Sequence, residues 1–271
     1  MPLVVTHSAL SDVGRRRSHN EDRYCTDTTL GLFIVCDGMG GSKAGEIASG
    51  LAVETIHRHI NEASLNSALP LIGRTDPTVS LSGNRLLSAI RDANRVIHHE
   101  GSRNEDWAGM GTTVVAILLT DQLMSFAHVG DSRLYLVRAH AIHPLTADHS
   151  WVAEQVRSGL MTEAEAERSP QRNIVTRALG VGPDVDITIG EAELQVGDRL
   201  LLCSDGLTRG VGTARLLNVL TETDDVNDAA RQLVTLANDA GGDDNTTVIT
   251  LAVHEAMEQP MWDRVRQRLA M

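Results

Sequence analysis

The sequence predicts an α+β fold in which antiparallel sheets are layered with helices. Two observations carry this reading. Short segments with an apolar period of two fill the middle of the chain and are joined by links of two or three residues. Segments with a helical period come in pairs before and after them.

Taken in order, residues 31–36 (GLFIVC) form an apolar run that stops at Asp37-Gly38-Met39-Gly40-Gly41, the pattern of a buried strand feeding a tight turn. A helix over 42–60 follows, with Ala44, Ile47, Ala48, Leu51, Ala52, Thr55, Ile56 and Ile60 at steps of three and four. Residues 62–83 are polar and contain Pro70, Gly73, Pro77 and Gly83, which predicts a surface connection. Leu86, Leu87, Ile90, Ala93 and Ile97 then mark a second helix over 84–99. The period changes to two in 112–119, 122–129, 133–138 and 141–145, and links this short predict a meander of antiparallel neighbours. Residues 150–170 are helical in pattern, with a capping box at Thr162 and Glu165. Strands near 185–194 and 199–203, helices over 212–221 and 225–240, and a last strand at 246–253 complete the pattern. One domain over 1–255 with a short tail at 256–271 is expected.

The 271 residues are 42% hydrophobic, so a sizeable core is available, and only 3% aromatic, so aliphatic side chains fill it. A net charge of -12 repels nucleic acid backbones and anionic lipids, which sets both aside as partners. Cys25, Cys36 and Cys203 make an odd count, two of them inside apolar runs, which points to a reducing compartment rather than a disulfide framework. The N-terminus has no basic region followed by an apolar stretch, and no segment approaches the ~20 apolar residues of a membrane helix. The expectation is a cytoplasmic monomer.

Asp37, Asp131, Asp205 and the pair Asp243-Asp244 each lie at the edge of an apolar strand. Asp-Gly and Asp-Asn are also ordinary turn formers, so each taken alone has a purely local explanation. Together they suggest a carboxylate site for hard divalent cations, since strand ends are rigid and can hold oxygen ligands at fixed separations. Near the N-terminus, Arg15-Arg16-Arg17 precedes Glu21-Asp22, placing guanidinium groups suited to forked bonds with phosphate beside further carboxylates.

These residues belong to motifs that resemble the type 2C, metal-dependent Ser/Thr protein phosphatases in their bacterial single-domain form. The motifs are SDVGRRRSHNEDR (11–23), CDGMGGSKAGEIAS (36–49), GMGTTVVA (109–116), HVGDSRLYL (128–136), LTADHS (145–150), NIVTRALG (173–180), LLCSDGLT (201–208) and GGDDNTTVI (241–249). They follow the family's order from about residue 8 to 253.

The resemblance implies a central sandwich of two antiparallel sheets flanked by helix pairs, in the order α-β-β-α. It implies that Asp37 bridges two Mn²⁺ or Mg²⁺ ions, with the Gly38 carbonyl on one of them. Asp205 and Asp244 would complete the first ion's ligands, Glu21 and Asp22 would hold the second directly or through water, and Asp131 would serve a weaker third site. Arg17 would bind the substrate phosphate, and residues 150–172 would form a flap. Phosphoserine and phosphothreonine would be hydrolysed by in-line attack of a hydroxide bridging the two metals, with Arg17 and the metals stabilising phosphoryl charge. Met39 stands where animal relatives carry a His proposed to protonate the leaving group, so water held by the metals is the expected donor. Cys36, Cys203 and the histidines are expected to be structural.

The expected partners are phosphorylated proteins and a bacterial Ser/Thr kinase whose action the enzyme opposes. Two alternatives have the same fold: a pseudophosphatase or other phosphoprotein-binding regulator without turnover, and an enzyme dedicated to one phosphorylated regulator.

Overall fold

The run at 32–36 is continuously apolar because its strand is covered on both faces. Leu32, Ile34 and Cys36 pack into a cluster with helices, whereas Phe33 and Val35 point the other way into a cluster between sheets. The structure is a computed structural model describing residues 3–40 and 44–256. Its strands are β1 (Leu3–Asp12), β2 (Asp22–Asp27), β3 (Leu32–Met39), β4 (Gly111–Thr112), β5 (Val114–Thr120), β6 (Leu123–Val129), β7 (Arg133–Arg138), β8 (Ala141–Pro144), β9 (Thr188–Glu193), β10 (Arg199–Cys203) and β11 (Thr246–Glu255). Its helices are α1 (Ala44–Leu65), α2 (Leu81–Arg103), α3 (Trp151–Arg157), α4 (Glu163–Arg168), α5 (Asp205–Thr208), α6 (Thr213–Glu222) and α7 (Val226–Asp239).

One sheet has the order β1-β11-β10-β7-β8, and the other has β2-β3-β5-β6-β9 with β4 added beside β3; every pairing is antiparallel. Alternation along the central strands sorts the core into layers. Val115 and Ile117 face Leu200, Leu202, Ile249 and Leu251 between the sheets. Val114 and Ala116 turn outward onto α1 and α2. Leu201, Cys203 and Val248 turn outward onto α6 and α7. The result is the expected α-β-β-α order. Among the described residues no helix is long and apolar enough to cross a membrane.

The expected meander is corrected at one link. β5 and β6 form a hairpin, and so do β7 and β8, but β6 and β7 lie in different sheets. Gly130-Asp131-Ser132 therefore carries the chain across the sandwich rather than around a hairpin. Gly130 makes the crossing at φ +101, and a Cβ there would lie 2.6 Å from the Thr113 side chain. A short link does not distinguish a hairpin from a step between stacked sheets, because the apolar alternation on either side of it is the same in both.

Other boundaries moved for local reasons. α1 runs to Leu65, a turn beyond the expected end, since nothing in 61–65 breaks a helix and Ala63 still reaches the core. α2 begins at Leu81, where Ser80 caps it by accepting from Gly83 N. The 150–170 segment is two short helices broken at Gly159, which sits at φ +70; the capping box of Thr162 and Glu165 opens the second. β1, β2 and α5 were not expected. The two strands are half-exposed and mix polar with apolar residues, and α5 is a single turn. The 256–271 tail, after Ala256, lies outside the described residues.

Phe33 is fully buried between the sheets. Phe33→Ala is expected to lower unfolding stability by about 3–5 kcal/mol, read as a fall in the urea midpoint with an unchanged slope.

Candidate active site

Asp37 ends the buried part of β3 and stands directly opposite Asp22 of β2 in the strand register. Its backbone is fixed from β5's leading edge. Asp37 N donates to Thr113 Oγ1 at 3.0 Å, and Asp37 O accepts from Thr113 N at 2.8 Å and Thr112 Oγ1 at 2.9 Å. Thr113 Oγ1 also shares a hydrogen bond with Ser132 Oγ at 2.7 Å, which ties the Asp37 edge to the crossing link that carries Asp131.

Gly38 is required by close packing. A Cβ there would lie 2.0 Å from the Gly45 carbonyl oxygen in the first turn of α1. Glu21 is drawn into the same corner, with its carbonyl accepting from Gly38 N at 3.2 Å and Ser49 Oγ at 2.6 Å. Asn245 anchors the N-terminal segment from the other side: its Oδ1 accepts from Glu21 N at 2.8 Å, and its Nδ2 donates to Val13 O and His19 O. Asp22 is 2% exposed; its Oδ2 accepts from Ser204 Oγ at 2.8 Å, and its Oδ1 has no partner. Asp205 opens α5 just beyond β10, with Oδ2 on Arg209 and Oδ1 buried and unpartnered. Asp244 precedes β11. Its Oδ1 meets Arg17 Nε at 2.8 Å, and its Oδ2 accepts from Arg17 Nη2 at 2.9 Å and Arg209 Nη1 at 2.7 Å.

The electrostatics follow from burial first and mutual repulsion second. Asp37 is raised well above the ordinary carboxylate range by burial, then by Asp22, Asp205, Asp131 and Asp244. Asp22 is raised to about 7 by burial, against the neighbouring hydroxyls of Thr247 and Ser204, with Asp205 and Asp244 adding repulsion. Asp131 is also raised to about 7, by burial, Asp205 and Asp148, with Arg209 opposing. Asp205 and Glu21 move upward too, again chiefly through burial. This is a site short of positive charge.

The expected residues Arg17, Glu21, Asp22, Asp37, Gly38, Asp131, Asp205 and Asp244 thus share one neighbourhood. As the side chains stand, no three acidic, His or Cys residues among those described enclose an ion, and both oxygens of Asp244 are taken by arginines. The donor set nonetheless suits hard divalent cations. It is all oxygen, it is more acidic than its two arginines balance, and buried oxygens of Asp22 and Asp205 have no partner. Asp243, the neighbour of Asp244, is exposed and pairs with Arg16 at 3.3 Å.

Sequence reasoning missed Asn245, Ser204 and Thr113 as organisers and Arg209 altogether. The first three lie inside quoted motifs and were visible there. Arg209 lies one residue past its motif. His128 and His149, expected to be structural, stack with ring centroids 4.5 Å apart. His149 Nδ1 accepts from Gly130 N at 3.2 Å, and Nε2 bonds Thr188 Oγ1 at 3.0 Å. Burial and His128 lower its pKa to about 4, so it is neutral at physiological pH and braces the crossing link.

The protein phosphatase 2C family model matches residues 14–247. The chain belongs to the protein phosphatase 2C family. It is 35% identical over 251 residues to the protein phosphatase PhpP of Streptococcus pneumoniae, covering 92% of this chain and 97% of that one. The Mycobacterium tuberculosis serine/threonine phosphatase PstP/Ppp superposes with a TM-score of 0.82 at 33% identity, over 93% of this phosphatase and 99% of that chain. The catalytic domain of PstP in complex with two manganese ions matches with a TM-score of 0.80 at 33% identity, over 93% and 100%. The phosphatase is a metal-dependent Ser/Thr protein phosphatase, and phosphoproteins are its substrates.

Burial raises the folded-state pKa of Asp22 and Asp131 from 3.8 to about 7, so the metal-free folded state binds more protons than the unfolded chain between those values. Stability of metal-stripped protein is expected to fall as pH rises from about 4 to about 7. Thermal melts across that window check this, and saturating Mn²⁺ should flatten the slope.

Proposed function

We propose that Asp37, Asp205, Asp244 and the Gly38 carbonyl hold one Mn²⁺ or Mg²⁺ ion, that Asp37, Glu21 and Asp22 hold a second, and that Asp131 contributes to a weaker third site. The observation that carries this is the meeting of mutually repelling, buried carboxylates, two of them with an unpartnered oxygen, at the joined edges of both sheets. When bound, the ions activate water as the nucleophile and neutralise charge on the phosphoryl group.

The chain's own part is positioning. Arg17 is half-exposed at the mouth of this cluster and presents a forked donor to phosphoryl oxygens in exchange for Asp244. Met39, beside Gly38 at the end of β3, has no proton to give, so a side chain at that position does not serve as general acid. Residues 150–172, containing α3 and α4, act as a flap over the substrate, held to the body through Thr176 Oγ1 on Glu154.

The enzyme acts as a monomer in the cytoplasm, where its free cysteines stay reduced, and opposes a Ser/Thr protein kinase. Residues 1–255 form the catalytic domain and 256–271 a tail.

Hydrolysis of a phosphothreonine peptide by chelator-stripped protein, titrated with Mn²⁺ and Mg²⁺, tests the reading. Turnover is expected to vanish with EDTA and return with either metal. Activity surviving exhaustive chelation would refute it, and peptide binding without turnover at any metal concentration would favour a phosphoprotein-binding role. Asp37→Asn is expected to lose at least ~10³-fold in kcat with an unchanged circular dichroism spectrum. Arg17→Ala is expected to raise KM for the phosphopeptide more than it lowers kcat, and an unchanged KM would remove Arg17 from the substrate site.

A further inference from the structure

Arg209 is placed by α5, four residues after Asp205, and its side chain is 30% exposed. Its guanidinium forks between two carboxylates that come from distant parts of the chain. One nitrogen contacts Asp205 Oδ2, and the other donates to Asp244 Oδ2 at 2.7 Å. Asp131 and Asp37 also feel its charge. Neither the family resemblance nor the reading of the site above gives this residue a role.

The atoms in use separate Arg209 from Arg17. Arg17 comes from the exposed N-terminal loop, bonds only Asp244 among the described residues, and is 49% exposed, so it can leave for a phosphate. Arg209 is held at two points, by Asp205 four residues before it and by Asp244 from the other side. It uses only Oδ2 of Asp205, while Oδ1 of the same carboxylate is buried and unpartnered. An ion can therefore take Asp205 Oδ1 and, once Arg17 departs, the lone pair it vacates on Asp244 Oδ1, which still accepts from Asn245 N at 2.9 Å, with Arg209 in place on the two Oδ2 atoms.

We propose that Arg209 is a resident cation of the metal centre, sharing Asp205 and Asp244 with the ion and thereby weakening that ion's binding. The proposal rests on the reading of Asp205 and Asp244 as metal ligands. Two consequences follow from one charge. Without metal, Arg209 offsets repulsion among the carboxylates and stabilises the fold. With metal, a fixed positive charge next to a dication opposes it, by about tenfold in affinity even at the screening of water.

The test compares wild type with Arg209→Gln, which removes the charge but keeps an amide able to bond a carboxylate, and with Arg209→Lys, which keeps the charge. Mn²⁺ binding to chelator-stripped protein is measured by calorimetry and by the electron paramagnetic resonance signal of free Mn²⁺. Melting temperatures are taken with and without saturating Mn²⁺. Arg209→Gln is expected to bind Mn²⁺ at least ~10-fold more tightly than wild type. It should melt lower than wild type when metal-free, with that deficit erased or reversed by Mn²⁺. Arg209→Lys should stay within about threefold of wild type in Mn²⁺ affinity. Unchanged or weaker Mn²⁺ binding in Arg209→Gln, with the same melting deficit in both states, would show a plain structural clamp and overturn the proposal. Asp205→Asn serves as the control. If it leaves Mn²⁺ binding at the wild-type level, the metal-ligand reading fails, and the role of Arg209 fails with it.

Discussion

The structure is organised around an unfavourable contact: carboxylates that repel one another, gathered where little water reaches them. Asp22, Asp131 and Asp205 are buried, and Asp37 lies between them. No single segment would adopt this arrangement by itself. It persists because each acid sits at the end of a strand, or just beyond one, whose apolar residues are committed to the core. The cost of crowding charge is met by burial of aliphatic surface elsewhere in the same elements.

The polar groups around the carboxylates explain how such an arrangement is held without slack. Thr113, Ser132, Ser204 and Asn245 are all buried, and each spends its hydrogen bonds joining chain segments far apart in sequence. Ser204 links β2 to the β10–β11 edge, since its hydroxyl donates to Asp22 and accepts from Thr247 N. Asn245 fastens the arginine-bearing loop, and Thr113 couples one sheet to the link that enters the other. The glycines at 38 and 45 remove the side chains that would keep β3 and α1 apart. A network of this kind fixes the separations of ligands that local helix or strand geometry would leave loose.

Much of this was legible in the residues. The abrupt end of GLFIVC at Asp37 marked both a buried strand and its functional edge, and the helical periods located α1, α2, α6 and α7 to within a few residues. What was not legible depended on partners distant in sequence. β1 and β2 carry too many polar residues to read as strands, because each gains its stability from a neighbour, β11 or β3. The step from β6 to β7 looked like a hairpin, since the alternation on either side is the same whichever sheet the next strand joins. Arg209 gave no signal because a lone arginine after a short motif is ordinary. Only the fold brings Asp244 to the far side of it.

The pairing of β1 with β11 has a consequence for how this domain can be joined to others. The register places Asp12 beside Thr246 at the active-site edge and Leu3 beside Glu255 at the other end. Ten residues of strand at about 3.3 Å each put some 30 Å between that end and the carboxylates. Both ends of the described domain therefore leave side by side at the pole away from the chemistry. A binding module, a membrane tether or a loop fusing the two ends into a circular permutant would meet the domain there, leaving the approach of a bulky phosphoprotein clear.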